Sequence, residues 1–317
     1  MLPVIAETVR SGFVEGHHHG SVVALDASGR VAYAAGDVEA PMLPRSCSKP
    51  LQAVAMVRAG LGLEDELLAL ASASHSGEPF HVAGVRRILA AAGLDETVLR
   101  NPVGWPLIDT VKDDLLRGGG EASVLTMNCS GKHAAMLATC VVNGWPTDTY
   151  LDPRHPVQRV IAETIAELAQ EPVAHTATDG CGAPLLAISL TGLARAFATL
   201  ASSEAPAESR VAAAMRAHPE YVSGTTRDEL ALMQAVPGAI AKAGAEGCYV
   251  VALADGRACA VKIDDGGIRP RPVVMAALLA RLGVDTEPGV DTDAVRRTGA
   301  APLLGGAAVV GEIRAVL

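Results

Sequence analysis

The chain has 317 residues, of which half are apolar, 19% are charged and only 3% are aromatic. This composition favours a globular protein over a disordered one. The net charge of −9, without any basic run, argues against a nucleic-acid partner. No apolar stretch reaches the roughly 20 residues needed to cross a bilayer, and the N-terminus lacks the pattern of a secretion signal. We therefore expect a cytoplasmic protein with no membrane partner, whose six cysteines are reduced thiols.

The predicted elements place strands at both ends of the chain and helices in between. In chain order they are a hairpin at 21–26 and 30–35, a helix at 46–60, helices at 65–73, 79–93 and 129–143, helices at about 154–169, 183–200 and 207–217, a hairpin at 248–254 and 257–263, a helix at about 272–282, and a C-terminal strand. A sheet assembled from both ends, with a helical insert, predicts an α/β fold with an antiparallel sheet. We expect a single domain over 1–317, with its sheet part at about 1–60 and 235–317 and its helical part at about 61–234.

Ser46 and Lys49 stand at the start of the first predicted helix. A serine hydroxyl is a weak nucleophile that needs a base within hydrogen-bond reach, and residues three apart share one face of a helix. A lysine whose pKa is lowered by burial or by a nearby cation can be that base. The N–H groups at the helix start can hold an oxyanion. The alternative interpretation is that Ser46 only caps the helix and Lys49 is a solvated surface lysine.

Lys262 lies near the end of the second strand of the second hairpin. In serine β-lactamases and penicillin-binding proteins, a helix bearing S-x-x-K faces a C-terminal strand bearing K-T-G. The order of elements is similar here, but the triplet is Lys-Ile-Asp at 262–264 and no clear S-D-N occurs. Hydrolysis of β-lactams therefore does not follow. The alternative is that Lys262 is an edge-strand lysine that discourages aggregation.

A polar break at residues 72–78 separates two predicted helices and contains Ser74, His75, Ser76 and Glu78. These side chains are suited to hydrogen bonding and proton transfer. The alternative is a capping loop, in which one of the two serines is the N-cap and Glu78 completes a capping box.

Two further motifs bring cysteine and lysine together. Cys129 and Lys132 are three residues apart at a predicted helix start, and Cys181 lies in a glycine-flanked turn. Two thiolates can hold Zn²⁺, and a third protein ligand leaves a position open for water or substrate. Lysine is an unusual ligand because it must be neutral to coordinate a metal. The alternative is a pair of buried structural cysteines.

Taken together, these segments resemble the L-asparaginase II family, the Rhizobium etli-type or class 3 L-asparaginases. The matching segments, which run through most of the chain, are 9–15 with 17–20, 44–50, 73–78, 128–133, 178–182 and 260–266. One such motif is weak, but six in order are specific.

The resemblance implies a fold akin to serine β-lactamases and glutaminases, a homodimer, and a set of site residues. The implied catalytic pairs are Ser46 with Lys49 and Ser74 with Lys262, Ser76 being the other candidate for the second serine. The implied zinc ligands are Cys129, Lys132 and Cys181. The residues expected to bind substrate are Arg45, His75, Asn128 and Asp179.

The resemblance also implies the reaction, in which L-asparagine and water give L-aspartate and ammonia through a serine acyl-enzyme. Two other classes of function stay open. One is a glutaminase or a β-lactamase-like or transpeptidase-like serine hydrolase, against which the missing K-T-G and export signal count for the β-lactam enzymes. The other is a non-catalytic amino-acid-binding protein on the same fold, against which the Ser–Lys pairs count.

Overall fold

The computed structural model describes residues 2–317 as an antiparallel sheet with helices packed on it, which confirms the predicted α/β class. The strands are β1 (Val4–Arg10), β2 (Phe13–Leu25), β3 (Val31–Ala35), β4 (Pro41–Met42), β5 (His175–Thr178), β6 (Pro184–Ser189), β7 (Ile240–Ala243), β8 (Cys248–Ala252), β9 (Ala258–Ile263), β10 (Ala301–Gly305) and β11 (Ala308–Ala315).

The helices fill the middle of the chain and flank the last strands. They are α1 (Lys49–Arg58), α2 (Asp65–Ala71), α3 (Pro79–Ala91), α4 (Asp109–Arg117), α5 (Ser130–Asn143), α6 (Pro156–Ala169), α7 (Leu190–Ser202), α8 (Pro206–Ala217), α9 (Pro219–Val222), α10 (Asp228–Ala235), α11 (Pro270–Arg281) and α12 (Thr292–Thr298). Short 3-10 turns occur at Arg45–Ser48, Glu96–Val98 and Val284–Thr286. No helix among residues 2–317 combines the length and the apolar character needed to cross a membrane.

The main sheet has eight strands in the order β10-β11-β1-β2-β9-β8-β7, and β3 also pairs with β2. The long strand β2 makes this possible, because its first half pairs with β1 and its second half with β3 and β9. A tight turn joins β1 to β2. Both of its residues, Ser11 and Gly12, have positive φ (49° and 82°), which suits the right-handed twist of a hairpin.

The core consists of small aliphatic side chains, as the low aromatic content predicts. Helix α7 packs on β2, β8 and β9, and α11 packs on β9 and β11. Fully buried residues at these contacts include Val22, Ala24, Val250 and Ala260. Small side chains let helix and sheet backbones approach closely, so the sheet forms a firm base for the elements beside it.

The predicted helix at 183–200 is wrong in its first part. Residues 184–189 form β6, the middle strand of a small sheet ordered β4-β6-β5, and the helix α7 begins only at Leu190. A short, fully apolar run does not distinguish a buried strand from a buried helix. Ser189 marks the change, because its Oγ accepts a hydrogen bond from Gly192 N at 2.8 Å and caps α7.

Candidate active site

Ser46 lies in the 3-10 turn Arg45–Ser48, which runs directly into α1 and packs against β7 and β8. Arg45 has a φ of 51°, a strained value for a residue with a side chain. Ser46 is half-buried, and within residues 2–317 its Oγ makes no hydrogen bond. The serine therefore does not cap α1, and the turn presents a free hydroxyl at a helix entrance.

Lys49 is buried at the first position of α1, with 1% of its surface exposed. Its Nζ donates to Ala73 O at 2.7 Å, Ser74 Oγ at 3.0 Å and Cys129 Sγ at 3.2 Å. These acceptors use all three N–H bonds of an ammonium group. Lys49 is thus no solvated surface lysine, and it connects the helix of Ser46 to Ser74.

The loop of residues 72–78 brings Ser74, rather than Ser76, to this lysine. Ser76 Oγ donates instead to Ser223 O at 2.7 Å. Glu78 is the N-cap of α3 but makes no capping bond with its side chain, which accepts from Thr225 N at 2.9 Å. The alternative of a capping box is therefore wrong, and the loop places Ser74 beside Lys49.

His75 fixes this loop against the start of α5. Its Nδ1 accepts from Gly77 N at 3.1 Å, so Nε2 carries the hydrogen and donates to Ser130 Oγ at 2.8 Å. Ser130 Oγ donates onward to Leu125 O at 2.8 Å. Burial lowers the pKa of His75 well below its ordinary value, so the ring is neutral. The structure thus gives both ring nitrogens of His75 a partner within the protein.

Asn128 joins the same loop to the start of α5. Its backbone oxygen accepts from His75 N at 3.2 Å. Its side-chain Oδ1 accepts from Cys129 Sγ at 3.4 Å. The residue is half-buried, next to a cysteine that contacts Lys49.

The two predicted cysteine ligands are buried neighbours. A hydrogen bond from Cys181, followed by the charges of Lys49 and Lys132, brings the pKa of Cys129 well below its usual range in spite of burial. Lys132 Nζ lies 3.1 Å from Cys181 Sγ. Burial alone would lower the pKa of Lys132, but Cys181 and Cys129 outweigh it and the pKa is raised. The three side chains form one buried cluster of two sulfurs and one amine.

The cluster has a donor set that fits zinc. Two sulfur ligands and one amine are a chemically acceptable set for this metal. Within residues 2–317 no group of three His, Cys, Asp or Glu side chains could hold a metal, and the third predicted ligand here is a lysine. Zinc binding would require Lys132 to lose the proton that the metal-free arrangement favours.

Arg45 and Asp179 form an ion pair beside Ser46. Arg45 Nε donates to Asp179 Oδ1 at 2.9 Å, and its NH1 reaches Glu246 Oε1 at 3.4 Å. Asp179 Oδ2 also accepts from Cys181 Sγ at 3.6 Å. Burial would raise the pKa of Asp179, but nearby cations outweigh it and lower the pKa. The pair offers one cation and one anion, which are complementary to the carboxylate and ammonium of a free amino acid.

Within residues 2–317, Lys262 makes no hydrogen bond to Ser74. It lies on β9, between β2 and β8, so it is no edge-strand lysine. Its cross-strand partners are Ser21 and Cys248, and its Nζ donates to Ile263 O at 2.5 Å.

Lys242, which the sequence analysis did not select, lies at the site instead. It is fully buried on β7, the last strand of the main sheet, and its Nζ donates to Ala243 O at 2.7 Å. Cys47, the residue after Ser46, donates to Lys242 O at 3.1 Å and so attaches the strand to the turn. Burial, with smaller effects of Arg227 and Lys49, lowers the pKa of Lys242 to about 7.

A sequence signal for Lys242 exists in the tripeptide Lys-Ala-Gly at 242–244. It differs from K-T-G only in its middle residue. Gly244 is required by space, because a Cβ there would lie 2.8 Å from Pro44 O and 3.2 Å from Cys47 Sγ. A search for an unaltered K-T-G overlooks this Lys-Ala-Gly tripeptide, although its glycine packs against the turn that contains Ser46.

Comparison with known proteins gives one family and several distant folds. A family model described as L-asparaginase II matches residues 6–315. No curated protein matches the chain. Among solved structures, a β-lactamase from Mycobacterium bovis is 14% identical, with a TM-score of 0.45 over 83% of this chain and 94% of that one.

Two structures of a protein called Mglu are similar to the same degree. Its native form is 16% identical, with a TM-score of 0.44 over 83% of this chain and 63% of that one. Its L-glutamate binding form in 4.3 M NaCl is 16% identical, with a TM-score of 0.45 over 82% of this chain and 59% of that one. This chain therefore spans less than two thirds of Mglu.

Proposed function

Because the chain belongs to the L-asparaginase II family, we propose that it is a serine amidohydrolase that converts L-asparagine and water into L-aspartate and ammonia. The observation that carries this proposal is the buried Nζ of Lys49, hydrogen-bonded to Ser74 Oγ from the helix that the free Ser46 precedes. A non-catalytic binding protein has no need to bury a lysine amine against Ser74, since burying a polar group is costly. The arrangement favours catalysis.

In the proposed reaction, Ser46 Oγ attacks the side-chain amide carbon of asparagine. Its proton passes to the lysine cluster of Lys49 and Lys242, in which Lys242 is uncharged above about pH 7 and so leaves a vacant site for a proton. Backbone N–H groups of the turn at Ser46 stabilise the oxyanion. The tetrahedral intermediate then collapses to an aspartyl ester on Ser46.

Release of ammonia requires that the leaving nitrogen receive a proton. The hydrogen bond from Lys49 to Ser74 is a path by which the lysine cluster can pass a proton to the leaving nitrogen. A water molecule then attacks the ester, gives its proton to the lysine cluster, and frees aspartate and Ser46. In this scheme Lys242 takes the second-lysine role that the sequence resemblance gave to Lys262.

The ion pair of Arg45 and Asp179 is the proposed receptor for the amino-acid end of the substrate. Cys129, Lys132 and Cys181 are the proposed zinc ligands. When bound there, zinc would act as a Lewis acid that orients polar groups of the substrate or water. The family resemblance is the support for a homodimer.

The direct test is release of ammonia from L-asparagine, L-glutamine and a β-lactam substrate compared at equal concentrations, with opening of the β-lactam ring followed separately. We expect turnover of asparagine and none of the β-lactam. Equal or faster turnover of glutamine would make the protein a glutaminase. Binding of asparagine without turnover of any substrate would favour the amino-acid-binding protein.

A further inference from the structure

Two charged side chains at the start of α10 connect the second serine to Lys242, and neither has a part in the reaction described above. Arg227 NH1 donates to Ser74 O at 2.6 Å, and its NH2 donates to Glu229 Oε1 at 2.6 Å. The same Oε1 accepts from Ala243 N at 3.3 Å, on the edge strand and adjacent to Lys242. An unbroken chain of charged hydrogen bonds thus runs from the loop of Ser74 to β7.

Glu229 is an unusual residue to bury. None of its side chain is exposed, and its Oε2 has no hydrogen-bond partner within residues 2–317. A buried, unpaired carboxylate oxygen costs stability. Burial would raise the pKa of Glu229, but Arg227, Lys242 and Arg271 outweigh it and bring the pKa down to about 2. The carboxylate is therefore ionised at every pH at which the enzyme works.

We propose that Arg227 and Glu229 are positioning residues that hold the loop of Ser74 and the strand β7 at a fixed spacing and place a carboxylate on Ala243, the residue after Lys242. This inference rests on the proposed function, in which Lys242 exchanges a proton during turnover. Arg227 supplies the geometry, because its planar fork bonds two acceptors at once. Glu229 supplies the charge.

The charge environment of Lys242 shows why one carboxylate matters. The side chains whose charges shift the pKa of Lys242 are Lys49 from α1, Cys47 from the turn that contains Ser46, and Arg227 and Glu229 from the start of α10. Glu229 is the carboxylate of this set, and it opposes burial and the two cations. Without it, the Lys242 ammonium would be still less stable, and its titration would move from about pH 7 to lower pH.

The test uses Glu229→Gln, because an amide oxygen can still accept from Arg227 and Ala243 while the charge is lost. We expect the acidic limb of the kcat/KM profile for asparagine to shift to lower pH by about one unit. Glu229→Asp keeps the charge on a shorter side chain, so its limb should stay at the wild-type pH while kcat falls. An unshifted limb in a folded Glu229→Gln protein would overturn the proposal.

The matched control is Glu208→Gln, which removes another buried carboxylate. Glu208 lies on α8 and pairs with Arg58 at the end of α1, away from the site. The variant should leave the acidic limb in place. A shift of equal size in this variant would show a general effect of lost charge and would also overturn the proposal.

A second readout does not depend on turnover. In protein with lysines labelled with ¹³C at Cε, the resonance missing from Lys242→Met identifies Lys242, and its titration midpoint should fall by about one unit in Glu229→Gln. An unchanged midpoint contradicts the proposed role of Glu229 even if asparagine is hydrolysed. If the wild-type protein does not hydrolyse asparagine, the proposed function fails. The titration midpoint of Lys242 still tests the proposed role of Glu229.

Arg227→Lys covers the case in which Glu229→Gln does not fold. A lysine keeps the charge but cannot bond Ser74 O and Glu229 together with the fork geometry. We expect a fall of about tenfold or more in kcat with an unshifted pH limb. Wild-type kcat in this variant would contradict the positioning role.

Discussion

At the scale of single residues, two buried lysines, Lys49 and Lys242, distinguish the candidate site. Ser46 and Lys49 could be selected from the sequence as a candidate pair, because residues three apart share one face of a helix. The sequence could not predict that Lys49 would bond Ser74, since that contact joins residues 25 positions apart. Lys242 was missed because the burial that lowers its pKa is a property of packing and not of the local sequence.

Replacing each candidate second lysine separates the two assignments. Lys242→Met keeps the volume of the side chain but removes its amine, so we expect kcat/KM for asparagine to fall by about 100-fold or more. Lys262→Met is the matched variant, and its loss should be within about threefold, because among residues 2–317 the Lys262 amine bonds only Ile263 O. The reverse ranking would return the role to Lys262.

At the scale of elements, the sequence predicted those with a strong periodic or turn signal. The hairpin of β8 and β9 and the amphipathic helices α6 and α8 were found within two residues at most of their ends. The strands β1 and β7 and the helix α10 were not predicted. β7 has only four residues, and its burial comes from the turn and helix packed against it. Such elements are defined by their neighbours rather than by their own pattern.

The loop and helices around Ser74 contain buried neutral histidines, which predicts acid sensitivity. Burial lowers the pKa of His81 to about 4, and that of His133 also to about 4. Unfolded histidine binds a proton below about pH 6.5, whereas the folded residue does so only near pH 4. Stability is therefore full above about pH 6.5 and is lost as the pH falls, by about 2 kcal/mol per residue at pH 5.

Urea unfolding of the wild type and of His81→Gln at pH 7.5 and pH 5 tests this. The glutamine amide can replace the hydrogen bond to Glu220 O, and the variant should lose less stability between the two pH values. His175→Gln changes an exposed histidine of β5 and should behave as the wild type does. An equal pH dependence in all three proteins would show that His81 is not kept neutral.

At the scale of the whole molecule, the site is assembled from segments that are far apart in sequence. The turn before α1, the loop before α3, the start of α5, the turn after β5 and the strand β7 all meet there. The antiparallel sheet from both chain ends could be predicted from the order of elements. The meeting of these five segments could not, because it depends on the packing of the helical part on the sheet.

The cysteine cluster joins two of these segments, so a metal there should be detectable in the intact protein. Purified protein should carry zinc, up to about one ion per chain, and Cys129→Ser with Cys181→Ser should remove it, since hydroxyls are far poorer zinc ligands than thiolates. Cys140→Ser, on α5 but outside the cluster, should keep the metal. Equal zinc in the wild type and the double variant, measured by elemental analysis, would reject the assignment.

The central claim is that Ser46 forms an aspartyl ester during turnover of asparagine. The most direct measurement is mass spectrometry of peptides from protein quenched with acid during the reaction, together with the rate of ammonia release. We predict one aspartyl group on the wild-type peptide that contains Ser46, none in Ser46→Ala, and a rate for that variant lower by about 10³-fold or more. An aspartyl group on Ser74, or turnover by folded Ser46→Ala at the wild-type rate, would contradict the account.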